Sequence, residues 1–291
     1  MSILAGAITG SITMSVPLLF AAIGETVVQR SGVVNVGLEG LILTGALAAV
    51  LGVWQTHIPV VGLGCAIVAA GLFSLLFALF AVQLAANQVV VGVVINLMAL
   101  GITGTVSRQE FGRQQSFVTV AGLPHLFANQ TILTPIALVC VPAVGWWLYR
   151  TRGGLQLRAC GEQPQAAEAS GVNVLKLRTI AVIFGGIMAG IAGACLTIGD
   201  VPTFQEGMSA GRGFIALAIV TAGRWNPYGC LAASIVFGVS EELEIQGQAM
   251  GLHVPHDILL AAPYVATLVI LMFGSKFAKA PAALGAPYRR A

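Results

Sequence analysis

The chain has 291 residues, of which 57% are hydrophobic and only 9% charged, and its mean hydropathy is +0.91. A soluble domain devotes about 25% of its residues to charge, so this chain cannot clothe a water-facing surface and is read as an integral membrane protein. Its net charge of +3 is small, and with no basic face carrying interleaved aromatics nothing in it points to nucleic acid.

Crossing about 30 Å of hydrocarbon takes about 20 apolar residues. In chain order, apolar segments occupy residues 3–23, 38–54, 58–84, 89–106, 132–149, 180–198, 214–222, 228–240 and 258–273. This predicts an all-α polytopic protein of about nine elements, forming one membrane domain over residues 1–291. The first segment lacks a positive start and is followed by many more, so it is read as a spanning helix rather than a leader. Residues 25–37 are rich enough in glycine and polar groups to hide a broken helix. Segment 214–222 is too short to cross unaided. It is expected either to be extended by residues 208–213 or to enter the membrane as a half-helix packed inside protein, where irregular backbone is tolerated. Gly186-x-x-x-Gly190, with Gly193 beyond, gives the sixth segment a small-residue face for close helix packing. The five cysteines show no C-x-x-C spacing and are read as small buried hydrophobes.

Lysine and arginine in short loops set orientation. Arg150, Arg152, Arg158, Lys176 and Arg178 place the loop at about 150–179 in the cytoplasm. Counting crossings from there puts loop 199–212 and loop 246–257 outside. The turn 223–227, Arg30 and the tail with Lys276, Lys279, Arg289 and Arg290 fall inside. Arg108 and Arg113 land outside, against the rule. Within the basic loop, residues 163–170 are helix-permissive, Pro164 sits where a first turn tolerates it, and Gly171 offers a stop. A flat helix of about two turns is expected there, with Lys176 and Arg178 at the lipid headgroups. An ordinary solvated connector is the bland alternative.

The run Gln165-Ala166-Ala167-x-x-x-Gly171 resembles the E-A-A-x-x-x-G coupling loop of ABC importer permeases, with Gln165 in the glutamate's place. The stretches 30–40 (RSGVVNVGLEG), 208–218 (MSAGRGFIALA) and 223–227 (GRWNP) resemble permeases of the branched-chain amino acid, ribose and nucleoside group. Within that group the chain most resembles the nucleoside (basic-membrane-protein-linked) importer permeases. The resemblance covers nearly the whole chain and implies the type II ABC importer permease fold in the cell (inner) membrane. It also implies a second permease, paired as a heterodimer, a cytoplasmic ATPase and an external substrate-binding protein. The ATPase contact would be made by Glu162, Gln163, Pro164, Gln165, Ala166, Ala167, Ser170, Gly171 and Val172. ATP and Mg would be used by the partner ATPase, with no cofactor in this chain. Nucleosides or nucleobases are the implied solutes. A simple-sugar importer permease and a stand-alone secondary transporter are the alternatives.

Polar residues inside a membrane are costly and mark candidate pathway positions. Asn35 and Glu39, four apart, would share a face if helical, and would either line the path or cap and shape a turn. Asn96, in mid-segment, would contact substrate or bond another helix. Phe204 is a candidate for the pathway mouth. Glu206, Arg212, Glu241 and Glu242, in the predicted outer region, would dock the binding protein or be solvated. Glu25 and Gln29 are expected at headgroup level. His253 and His256 lack a third ligand for a metal. No G-x-x-x-x-G-K-[ST], H-E-x-x-H or G-x-S-x-G run occurs, so the chain is not expected to be an enzyme.

Overall fold

The computed structural model describes residues 3–112, 119–127, 130–249 and 279–289. Among these, the helices are α1 (Ile3–Arg30), α2 (Leu38–Thr56), α3 (Pro59–Ala78), α4 (Gln88–Phe111), α5 (Leu133–Arg150), α6 (Arg152–Glu162), α7 (Pro164–Ala169), α8 (Val174–Ala194), α9 (Arg212–Ala222) and α10 (Pro227–Ala249). A π-helical turn lengthens α3 through Leu79–Gln83 and another lengthens α8 through Cys195–Asp200. A short antiparallel ribbon joins β1 (His125–Phe127) to β2 (Gln130–Thr131) before α5.

Local chemistry sets these boundaries. The Asn87 carboxamide oxygen accepts from the Val89 and Val90 amides and opens α4. Thr151 caps α6 through the Gly154 amide, and Asn173 caps α8 through the Lys176 amide. Pro164 begins α7, and Gly171, at φ +84°, follows its end in the left-handed region.

Among the described residues, six helices are long and apolar enough to cross a membrane: Gly6–Arg30, Leu38–Thr56, Pro59–Gln83, Gln88–Phe111, Leu133–Arg150 and Val174–Asp200. Helix α10 has 23 residues but carries Glu241, Glu242 and Glu244 in its last third. The expected segment 258–273 lies outside the described residues. Helix α9 starts at Arg212 and has only 11 residues, so residues 208–211 do not extend it. The half-helix alternative is the one seen. Residues 25–37 also differ from expectation: α1 runs unbroken to Arg30, and the interruption is the short segment 31–37 before α2.

The core is a three-helix seam of α2, α3 and α8 with α1 and α10 packed beside it. Between helices in lipid no hydrophobic force operates, so close backbone approach and dispersion must hold them. A Cβ added at Gly45 would lie 2.7 Å from the Gly190 Cα, and one at Gly193 would lie 2.5 Å from the Ala46 amide nitrogen. The small-residue face read from the sequence therefore packs on α3 through Gly186 and Gly190, against Ser74, Ala66 and Ala70, and on α2 through Gly193. Large apolar side chains on α3, α4 and α5, among them Leu72, Leu97 and Val139, point outward.

Candidate coupling platform and half-helix junction

One end of the bundle gathers the turns that the charge count assigned to a single side. Arg30 donates to the Trp225 carbonyl (2.8 Å) and to the Tyr149 hydroxyl (3.2 Å), tying α1 to turn 223–226 and to the end of α5. The tail reaches the same end: the Ala283 amide donates to Gly161 and the Gly285 amide to Gly32. Arg150, Arg30, α6, α7 and the tail thus share one face, as their charges require.

Helices α6 and α7 form a platform on this face. Glu162, Gln163, Gln165, Ala166, Ser170 and Gly171 are exposed, Val172 is half-buried, and Pro164 and Ala167 point inward. Ala167 packs with Cys160, Val174 and Tyr288. A groove of about 480 Å³ runs along the platform, lined by Ala159, Gln163, Ala166, Ser170, Val172 and Ala282 among others. Burial pushes the Cys160 thiol above its ordinary range, opposed by the neighbouring Arg178 guanidinium.

Arg178 corrects an expectation. It is only 2% exposed, not at the headgroups. Its Nε donates to the Ser31 carbonyl (3.0 Å), Nη1 to Ala286 (3.2 Å) and Nη2 to Cys160 (3.3 Å). Its guanidinium also lies 5.6 Å from the Tyr288 ring centroid. A long fork with five donors is suited to satisfying carbonyls from three separate segments, and Lys176 is left exposed. Sequence reasoning missed this role because the acceptors are backbone atoms, and two of them, Ser31 and Ala286, are distant in sequence.

The second feature is a junction of helix ends. At 1.5 Å per residue α9 spans about 16 Å, roughly half of a hydrocarbon core of about 30 Å. Its N-terminus packs directly on the first turn of α2. There the Glu39 carboxylate accepts from the Gly211 amide (2.8 Å) and the Gly213 amide (2.6 Å). Glu39 also sits in the first turn of α2, so one carboxylate faces the positive ends of two helices. Asn35 is not helical, which overturns the shared-face expectation. Its side-chain oxygen accepts from the Gly37 amide and its own amide donates to Glu25, making it the residue that shapes the turn.

Asn96 of α4 uses both ends of its amide on α2 and the turn before it: Oδ1 accepts from Gly40 (2.8 Å) and Nδ2 donates to Val36 (3.0 Å). Of its two readings, the structure displays the interhelical one. Glu25 and Gln29 are buried within the packing rather than set at a headgroup surface. They bond one another, and Gln29 accepts from the Trp225 indole.

Toward the opposite end, Phe204 is 1% exposed and packs with Leu43, Leu47 and Phe111. This corrects its placement at a pathway mouth, since an aromatic side chain gains more by burial there. Glu206 pairs with Arg108 at 2.8 Å, which also explains why Arg108 breaks the charge rule: its charge is balanced. Helix α10 continues past residue 240, so Glu241 and Glu242 are not in a free loop. Arg212 forms an ion pair with Glu241, and Glu242 accepts from Gln246 and lies against Gly10 of α1. Arg212, Glu206, Glu241 and Glu242 are thus engaged within the chain rather than held out as free docking charges. Among the described residues no cluster of three His, Cys, Asp or Glu could hold a metal. His253 and His256 lie outside the described residues.

The profile of the family described as branched-chain amino acid transport system / permease component matches residues 7–273. The chain is 33% identical to the guanosine ABC transporter permease protein NupQ of Bacillus subtilis, covering 97% of this chain and 95% of NupQ. It is 34% identical to the nucleoside ABC transporter permease protein NupC of Lactococcus lactis, covering 94% of this chain and 93% of NupC. TsgC13, a permease of Haloferax volcanii named for glucose, is also 34% identical, over 92% of this chain and 87% of its own length. With the helical bundle described above, these matches show that the chain belongs to the branched-chain amino acid transport system permease family and is a multi-pass membrane transport permease.

Proposed function

We propose that this permease forms half of the membrane path of an ATP-driven importer and carries nucleosides or nucleobases by alternating access. The observation that carries the solute class is the near-full-length identity to NupQ and NupC, named for guanosine and nucleosides. The energy comes from a separate cytoplasmic ATPase that docks on Gln163–Val172, and a second, different permease completes the path. An external binding protein delivers the solute. Two features support this reading. Helix α7 presents Gln165 and Ala166 outward on a platform at the basic end. Around the start of α2 the polar side chains are the amides of Asn35 and Asn96 and the Glu39 carboxylate, each bonded to backbone, an arrangement that suits a neutral solute.

A sugar is the second solute reading, favoured by the identity to TsgC13. The partly buried Arg212–Glu241 pair is the kind of acid–base pair an ion-driven carrier uses. One experiment separates all three. Proteoliposomes holding the permease pair, with or without ATPase and binding protein, are assayed for uptake of guanosine, adenosine, free bases and glucose. Uptake of nucleosides or bases that requires ATPase and ATP is expected. Uptake of glucose alone overturns the solute class, and uptake without the ATPase overturns the importer.

A further inference from the structure

We infer that the C-terminal segment 279–289 is a strap that locks the coupling platform in place, with Arg178 and Tyr288 as its positioning residues. This rests on the reading that α7 receives the ATPase.

The strap touches every part of the platform. The Ala282 amide donates to the Glu162 carboxylate (3.2 Å) at the end of α6, and the Ala283 amide to the Gly161 carbonyl (2.9 Å). The Gly285 amide donates to Gly32 (3.0 Å), reaching the turn after α1. The Ala286 carbonyl accepts from Arg178 of α8. Finally the Tyr288 hydroxyl bonds the Glu168 carboxylate on α7, and its ring, 6% exposed, closes over Cys160 and Ala167.

A six-residue helix such as α7 has little stability of its own, because nucleation of a helix is unfavourable and few bonds follow it. Its orientation must come from what it packs against. Here that is α6 on one side and Tyr288 on the other. Without the strap, α7 keeps only the buried Pro164 and Ala167 and its short connections to α6 and α8. A force applied to α7 would then rotate it locally rather than move α8. With the strap, α7, α6, the turn 31–32 and α8 share the Arg178 fixed point and move as one piece. The strap also supplies Ala282 to the wall of the groove beside α7, so it shapes the surface the ATPase meets.

Cys160, 0% exposed and covered by Tyr288, is a built-in reporter. The full chain in nanodiscs, without ATPase, is exposed to a membrane-impermeant maleimide, and labelling at Cys160 is followed by peptide mass spectrometry. Cys160 in the intact chain is expected to label slowly. Deleting residues 279–291 should raise its rate about tenfold or more, as local opening replaces burial. Tyr288→Phe should raise it about fivefold, the loss of one hydrogen bond. In the reconstituted importer, the same two variants should still bind ATPase yet transport less solute per ATP hydrolysed, with Tyr288→Phe the milder.

Unchanged Cys160 labelling in both variants overturns the strap. Faster labelling with unchanged solute per ATP overturns its positioning role. The coupling reading is tested separately, in a chain with an intact tail, by deleting residues 163–171. Normal ATPase binding by that variant would overturn the coupling reading and the positioning role with it, while Cys160 of the unaltered chain stays protected.

Discussion

Glu39→Gln isolates the helix-end junction. The wild-type carboxylate accepts two short amide bonds, from Gly211 and Gly213. A glutamine can replace one oxygen, but its NH2 group then faces the second N–H, donor against donor. A hydrogen bond to a charged group contributes about 1.5–3 kcal/mol. The lost charge at a helix N-terminus adds about 0.3–1 kcal/mol. The total, about 2–4 kcal/mol, should appear as easier opening of the first turn of α9. At about 1.4 kcal/mol per decade, amide exchange there should accelerate about 30- to 1,000-fold. Hydrogen–deuterium exchange of peptides covering residues 208–216, in nanodiscs, measures it directly. Peptides from α3 serve as the internal control and should not change. Exchange at 208–216 equal to wild type, in a protein that is otherwise folded, would refute the claim that this carboxylate holds the half-helix. Glu39→Asp, one methylene shorter, should fall between the two.

Asn96→Ala removes both bonds from α4 to Val36 and Gly40 and should cost about 1–2 kcal/mol of stability, read as a lower thermal midpoint, with solute affinity unchanged. Gly193→Val drives a side chain into the Ala46 backbone; overpacking costs about 1–3 kcal/mol in a core that can relax, and more where the obstacle is main chain, so the purified yield should fall sharply. Arg212→Gln leaves Glu241, whose side chain is 19% exposed, without its cation, and should lower the midpoint at pH 8 more than at pH 5, where a carboxylate freed of its partner can take up a proton. Cys160 has a folded pKa raised above the ordinary thiol value, so its contribution is fully present below that value and is lost as pH climbs through the raised one. The thermal midpoint of Cys160→Ala should therefore decline less between pH 8 and pH 10.5 than that of the parent.

What the residues disclosed, and what they hid, divides along physical lines. Hydrophobic run length located the spanning helices because the bilayer imposes a length. Loop charge put Arg30, α6, α7 and the tail together because it is read locally. The stop at Gly171 and the start at Pro164 were legible because caps are local chemistry. By contrast, Arg178 reads as one more basic loop residue until the Ser31 and Ala286 carbonyls, each more than a hundred residues away, converge on it beside that of Cys160. Glu39 reads as a pathway acid until the end of α9 arrives against it. Phe204 reads as a loop aromatic until α2 covers it. Spacing within one segment cannot reveal a partner more than a hundred residues away.

The two features of this molecule are physically joined. Arg178 holds the Ser31 carbonyl at the same guanidinium that holds Cys160 and the strap. From Ser31 the chain runs through 33–35, where the Asn35 amide is pinned to Glu25 of α1. It then turns into α2, whose first turn carries Glu39 and hence the end of α9. Every link is a hydrogen bond to main chain or a turn of a few residues, and none passes through a long flexible side chain exposed to water. Packed interiors do not deform smoothly but switch between discrete arrangements. A displacement of the platform that moved Arg178 would therefore either leave segment 31–37 in place and break the Ser31 bond, or carry that segment along and disturb the Glu39 cap. The first alternative strands a buried guanidinium nitrogen and a buried carbonyl together, each of which carries a desolvation cost. A motion of α7 that keeps the Arg178 bonds is thus passed to the helix-end junction, where Gly213 of α9 packs against the backbone of Glu39.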